Sequence, residues 1–179
     1  MALSSTMHTF DISLNDVDRG VYESLSVKAA QHPSETEEYL VTRLLAYCLE
    51  FSEGIAFSKG LAEPDEPALT VRDLTGSLVS WIEIGAPDAA RLHRASKASP
   101  RVAVYTHKEP RLFLRAYEGQ RIHRAESLEL YAVDRTLLAE VVRRLERRMR
   151  FAMTITDQQL FLDFGGDTVS GSVDRLTLG

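Results

Sequence analysis

With 179 residues, 44% of them apolar and 26% charged, the chain has the make-up of one globular domain, 1–179. Its formal net charge of −5 argues against a protein that coats nucleic acid through bulk electrostatics, although local basic faces still act through the local field. A single cysteine, Cys48, excludes an internal disulfide and a cysteine-rich zinc site.

The N-terminus carries neither a basic n-region nor a long apolar h-region, and no apolar stretch approaches the ~20 residues that span a bilayer. A cytoplasmic protein is the expectation. Residues 6–13 and 20–30 read as two strands joined through a turn from Asn15-Asp16 to Gly20. Ser34-Glu35-Thr36-Glu37 then reads as a capping box, with Ser34 as N-cap and Glu37 reaching back. Leu40, Val41, Leu44, Leu45 and Cys48 recur at helical spacing and predict a buried helix face ending between Glu50 and Gly54. Cys48 on that face is expected to be an inert buried thiol. Arg43, beside the stripe, needs an acidic partner.

Ile55 to Leu61 predicts a strand in which Gly60 tolerates a close approach, and Pro64-Asp65-Glu66-Pro67 interrupts it. Ala68–Asp73 and Gly76–Ile84 predict a hairpin, and Asp88 caps a helix from Ala89 to about Ser99. A strand over 101–106 follows. Pro110 opens a short helix that Gly119 closes, and 127–133 is a further strand. Asp134 caps a helix with Leu137, Leu138, Val141, Val142 and Leu145 on its inner face. A hairpin turns at Asp157-Gln158, and 172–178 is expected as a last edge strand.

Within 76–84, Val79, Trp81 and Glu83 share one face while Leu78, Ser80, Ile82 and Ile84 share the other. Both faces are mainly apolar, which predicts a central strand with Glu83 at its C-terminal end, where open α/β sheets place ligands. A carboxylate beside Trp81 is costly unless a cation, a metal or hydrogen bonds compensate it. Arg91, Arg94 and Lys97 form a ridge on the following helix, within reach of Glu83. Two readings stand: carboxylates of Asp65 and Glu83 holding a hard cation, or Glu83 in a structural ion pair with Arg94 or Arg43 and Asp65 closing a turn. Arg143, Arg144, Arg147, Arg148 and Arg150 make the densest basic cluster, either a solvated face or a contact to a phosphate backbone. His8, His32, His93, His107 and His123 show no paired metal-ligand spacing.

His32-Pro33-Ser34-Glu35-Thr36, Arg43-Leu44-Leu45-Ala46, Gly60-Leu61, Asp65-Glu66-Pro67, Trp81-Ile82-Glu83-Ile84-Gly85 and Pro87-Asp88 together resemble the YaeQ family of small bacterial proteins, over essentially the whole chain. The resemblance implies a mixed α/β fold with a restriction-endonuclease-like, PD-(D/E)xK-type core. That is a central mixed sheet flanked by helices, with an N-terminal hairpin and C-terminal strands around it. The order read above (helix, three strands, helix, strand) agrees with it. In such nucleases two acids on adjacent strands bind Mg²⁺, a Lys two residues after the second assists water, and a Glu of the first helix sometimes joins them. Carried onto this chain, Asp65 or Asp73 is the first acid, Glu83 the second, and Glu38 or Glu35 the helical one, with Mg²⁺ or Mn²⁺ as the cofactor. The expected Lys position is Gly85, so Lys97 or Arg94 would substitute; Arg is not a neutral base near pH 7, which favours Lys97. The expectation is therefore a metal-dependent nuclease-like protein acting on nucleic-acid phosphodiesters, with Arg91, Arg94, Arg144, Arg147 and Arg148 as backbone contacts. The alternative is a catalytically inactive module of the same fold that binds nucleic acid or protein.

Overall fold

The computed structural model of the protein describes residues 4–58 and 65–178. Leu61, Gly60 and Pro64, to which the sequence assigned a strand end, a close approach and a break, lie outside the described residues.

Ten strands and four helices follow in the order β1 (Thr6–Asp16), β2 (Val21–Gln31), α1 (Glu37–Leu49), β3 (Ile55–Phe57), β4 (Leu69–Arg72), β5 (Leu78–Ile84), α2 (Ala89–Ala98), β6 (Arg101–Thr106), α3 (Pro110–Arg115), β7 (Glu129–Val133), α4 (Arg135–Arg143), β8 (Arg148–Thr156), β9 (Gln159–Asp163) and β10 (Thr168–Leu176). From α1 to β6 the order is helix, three strands, helix, strand, as the sequence patterning predicts.

All ten strands join one mixed sheet in the order β2-β1-β8-β9-β10-β7-β6-β5-β4-β3. β1 runs parallel to β8, and β5, β6 and β7 run parallel to one another; the other pairs are antiparallel. Alternation explains the inner face: Phe10, Ile12 and Leu14 of β1 and Met149, Phe151, Met153 and Ile155 of β8 are all buried. The sheet curls into a nearly closed, barrel-like surface around α1, whose Leu40, Val41, Leu44, Leu45 and Cys48 fill the interior with Leu137, Leu138 and Val141 of α4. α2 and α3 cover the other side of β5–β7 through a separate cluster that includes Leu92, Ala95, Val104, Phe113 and Tyr117. Burial pushes the Cys48 thiol up to about 12, which makes it inert. Among the described residues no helix is long and apolar enough to cross a membrane.

Two expectations need correction. α1 starts later than the capping box placed it. Thr36 is the N-cap, accepting from the Tyr39 N–H at 3.1 Å, while Ser34 Oγ lies 2.7 Å from His32 Nδ1. The Glu35 N–H bonds the His32 carbonyl, so Ser34 is consumed by a turn that turns Glu35 inward.

The last strand is also not an edge. β10 pairs with β9 through Thr168–Ser172 and with β7 through Val173–Leu176, and so stitches the two halves of the sheet together. The edges are β2 and β3, and one side chain on α1 reaches both. The Arg43 guanidinium donates to the Ala30 carbonyl of β2 at 2.9 Å and lies 5.1 Å from the centre of the Phe57 ring of β3.

Candidate functional site

β5 delivers Glu83 to the C-terminal end of the parallel segment, where it is 4% exposed. Its Oε1 accepts from Trp81 Nε1 and from Arg91 Nε, both at 2.7 Å. Trp81 stands two residues earlier on the same strand face, and Arg91 lies in the first turns of α2, which Asp88 caps by accepting from the Arg91 N–H at 2.7 Å. The other end of the Arg91 guanidinium donates to the Glu66 carbonyl. One cation therefore ties the Asp65-Glu66 segment to Glu83, and the two acidic segments that stand apart in sequence meet around it.

A second carboxylate–arginine pair is buried on α1. Arg43 Nη2 lies 3.1 Å from Glu35 Oε2, with both side chains almost fully enclosed. Tyr39 lies between the two pairs: Glu35, Arg43, Glu83 and Arg91 all act on its hydroxyl, and burial pushes it up to about 12. Burial outweighs the neighbouring arginines for both carboxyls and holds Glu83 and Glu35 above the ordinary carboxylate range.

Of the remaining predicted acids, Asp73 lies far from Glu83. Asp73 closes the exposed turn before β5, accepting from Thr75 Oγ1 at 2.6 Å and from the Thr75 and Ser77 N–H groups, and these bonds hold it below the usual range. Six residues of strand separate Ser77 from Glu83, roughly 20 Å. Asp65 is exposed, and so is Glu38, which lies on the first turn of α1 away from Glu35.

Lys97 is likewise remote. α2 runs back along β5, and its C-cap Ser99 lies 3.4 Å from the Val79 carbonyl at the beginning of the strand. Lys97 is six residues, about 9 Å, further along the helix than Arg91. Arg94 and Lys97 point to solvent and make no ion pair among the described residues.

Gly85 stands where the resemblance placed a Lys, and its backbone accounts for the residue found there. It follows the last residue of β5 with φ +87°, and its N–H bonds the Tyr105 carbonyl at 2.9 Å. A Cβ there would make only ordinary contact with His107 and Tyr39, so backbone conformation, not space, selects glycine.

The described residues do not fit a Mg²⁺ or Mn²⁺ centre. Such a site needs several converging oxygens, and no group of three or more His, Cys, Asp or Glu that could hold a metal occurs among them. Arg91 stands against Glu83 where a hard cation would otherwise balance the charge.

The basic residues are also redistributed. Arg144 pairs with Glu140 and Asp167 and lies over the Phe164 ring, and Arg143 pairs with Glu140, so the 143–150 cluster is half neutralised; Arg147, Arg148 and Arg150 stay exposed. A larger excess lies in residues 89–124, where nine Lys or Arg face two acids, a local charge of +7. Arg91, Arg101 and Arg124 are committed to partners within the fold. Arg94, Lys97, Arg111, Arg115 and Arg121 are exposed on the α2–α3 layer and make no ion pair among the described residues. The last three escaped motif reading because they share no helix face with the 91–97 ridge; the charge count over that window was the available signal.

A mixed α/β protein with one large curled sheet and a buried carboxylate–arginine centre at the end of β5 is the class these features define. Residues 1–173 match the family model described as YaeQ protein, and the chain belongs to that family. It is 30% identical over 164 residues to the uncharacterized protein YaeQ of Escherichia coli (strain K12), covering 90% of each chain. The crystal structure of the YaeQ protein from Pseudomonas syringae is similar at TM-score 0.85 and 32% identity, covering 97% of this chain and 96% of that one. The YaeQ protein from Xanthomonas axonopodis pv. citri gives TM-score 0.88 and 29% identity over 98% and 100%.

Proposed function

We propose that this protein is a nucleic-acid-binding module with a restriction-endonuclease-like, PD-(D/E)xK-type core in which Arg91 has taken over the charge-balancing role of the metal. The chain holds the phosphate backbone on the α2–α3 layer and does not cut it. The observation that carries the reading is the local charge of +7 in a chain of net −5, with five cations of that layer left unpaired. Binding follows the local field, and unpaired Arg and Lys exchange condensed counterions for phosphates. The helix, three strands, helix, strand order supports the core likeness, while fold likeness grants no activity. The meeting of the Asp65-Glu66 segment with Glu83 supports descent from an acidic site, and the arginine between them is the reason for its silence.

The test is fluorescence anisotropy with a labelled DNA duplex and a labelled RNA strand. Affinity should fall at least about tenfold between about 50 and about 200 mM salt. The triple variant Arg94→Glu/Lys97→Glu/Arg121→Glu should lose at least about tenfold at fixed salt, with an unchanged far-ultraviolet spectrum. Unchanged binding in that variant overturns the reading. Cleavage by the wild type in Mn²⁺ that Glu83→Gln removes would replace it with the metal-dependent nuclease.

A further inference from the structure

A cleft of 880 Å³ opens beyond the C-terminal ends of β5, β6 and β7, between the first turn of α1, α3 and α4. Ligands bind at that end of parallel strands because the connections there diverge and leave a crevice. The volume lies within the range of small-molecule sites. Its floor is apolar: Ala86, Leu112, Phe113, Ala116, Leu138 and Ala139. Leu112 is 62% exposed at the mouth, an unusual position for a large aliphatic side chain unless something covers it.

The polar groups of the cleft divide into committed and uncommitted. Glu109 caps α3 through the Leu112 N–H, and Glu140 is held by Arg143 and Arg144. Asp134, beside the cleft, caps α4 by accepting from the Thr136 and Leu137 N–H groups. Lys108, Arg135 and Glu38 make no side-chain hydrogen bond or ion pair among the described residues. All three lie close enough to His107 to act on its ring. The His107 Nδ1 is buried with no partner, and Tyr39 meets the ring edge-on at 6.4 Å. A buried ring nitrogen without a partner is costly and calls for a polar group. Burial, and after it Lys108 and Arg135, hold this imidazole below its ordinary range against the pull of Glu38. Glu109 keeps its charge although it caps α3, so the lining sets the cations Lys108 and Arg135 beside the acids Glu38, Glu109 and Glu140 over apolar side chains.

We propose that this cleft binds a small organic carboxylate with a flat apolar body, its carboxylate held by Arg135 and Lys108 and its body on Leu112, Phe113 and Leu138. Guanidinium groups match the fork of a carboxylate. Glu38 and Glu109 stand in the same lining, so the two cations accept a single negative charge there more readily than the two of a phosphate dianion. The first turns of α1 and α4 lend their positive ends to the same place. The site is separate from the α2–α3 layer, and this proposal stands whether or not nucleic acid binds there.

The test is an amide proton–nitrogen NMR titration of the whole chain with 2-naphthoate, benzoate, inorganic phosphate and AMP. Naphthoate should saturate with shifts confined to residues around Ala86, His107, Lys108 and Ala139. Arg135→Glu should weaken it at least about tenfold, the worth of a charged hydrogen bond. Ala139→Trp, which fills the cleft from an exposed position, should abolish it while the remaining spectrum stays folded. Shifts that neither variant reduces, or no shift in the cleft at millimolar naphthoate, overturn the proposal. So does inorganic phosphate or AMP displacing naphthoate at equal concentration, which would make the site a phosphate site.

Discussion

Glu83 accepts two strong hydrogen bonds, one of them its ion pair with Arg91, yet burial dominates its ionisation and holds it above the ordinary carboxylate range. A carboxyl raised in the folded state adds stability that is complete below its unfolded value and is lost as pH rises through the folded one. The stability of the wild type relative to Glu83→Gln should therefore fall as pH is raised from about 4.5 towards neutrality, measured by urea unfolding. A difference that grows with pH would mean that Arg91 outweighs burial. The need for a cation beside Glu83 was legible in the sequence, because the alternation around Trp81 buries position 83. The choice of Arg91 over Lys97 was not. Ridge spacing places residues 91, 94 and 97 on one side of α2, but the direction of the helix along β5 decides which of them reaches the end of the strand.

At the level of elements, periodicity located α1 and α4, while Asp88 located α2 and Pro110 with Gly119 located α3. Asp88 and Asp134 cap as predicted because each directly precedes an apolar-periodic run. Ser34 did not, because the bond from the Glu35 N–H to the His32 carbonyl spends that residue in a turn. Thr36→Ala should thus cost about 1 kcal/mol in thermal or urea unfolding and Ser34→Ala clearly less. The reverse order would restore the capping box. β10 shows a different limit. Its residues read as a strand, but only the fold reveals that the strand changes partner at Ser172–Val173, and that Gly171 lets α4 pack close to it: a Cβ there would come within 2.6 Å of Leu137.

For the whole molecule, Arg43 matters beyond its ion pair. It joins both sheet edges to the central helix and neutralises Glu35 in the interior. Arg43→Ala strands a buried carboxylate and releases both edges, and should cost about 3–5 kcal/mol by urea unfolding. The double variant Arg43→Met/Glu35→Gln should recover much of that, since an apolar replacement leaves no uncompensated charge. A single variant no less stable than the double would show that the edges hold without it. The demand of Arg43 for an acid was visible beside the apolar stripe of α1. The curvature that brings β2 and β3 to one side chain was not, because it is a property of ten strands together.

The pairing of β1 with β8 also sets a timetable. Thr9–Asp16 align with Arg148–Ile155, so the β1–β2 hairpin is made long before the strand it pairs with in parallel. Closing so long a loop is slow, and until then an apolar strand edge stands open to other chains. Refolding should accordingly be more vulnerable to aggregation before β8 docks than the finished protein is.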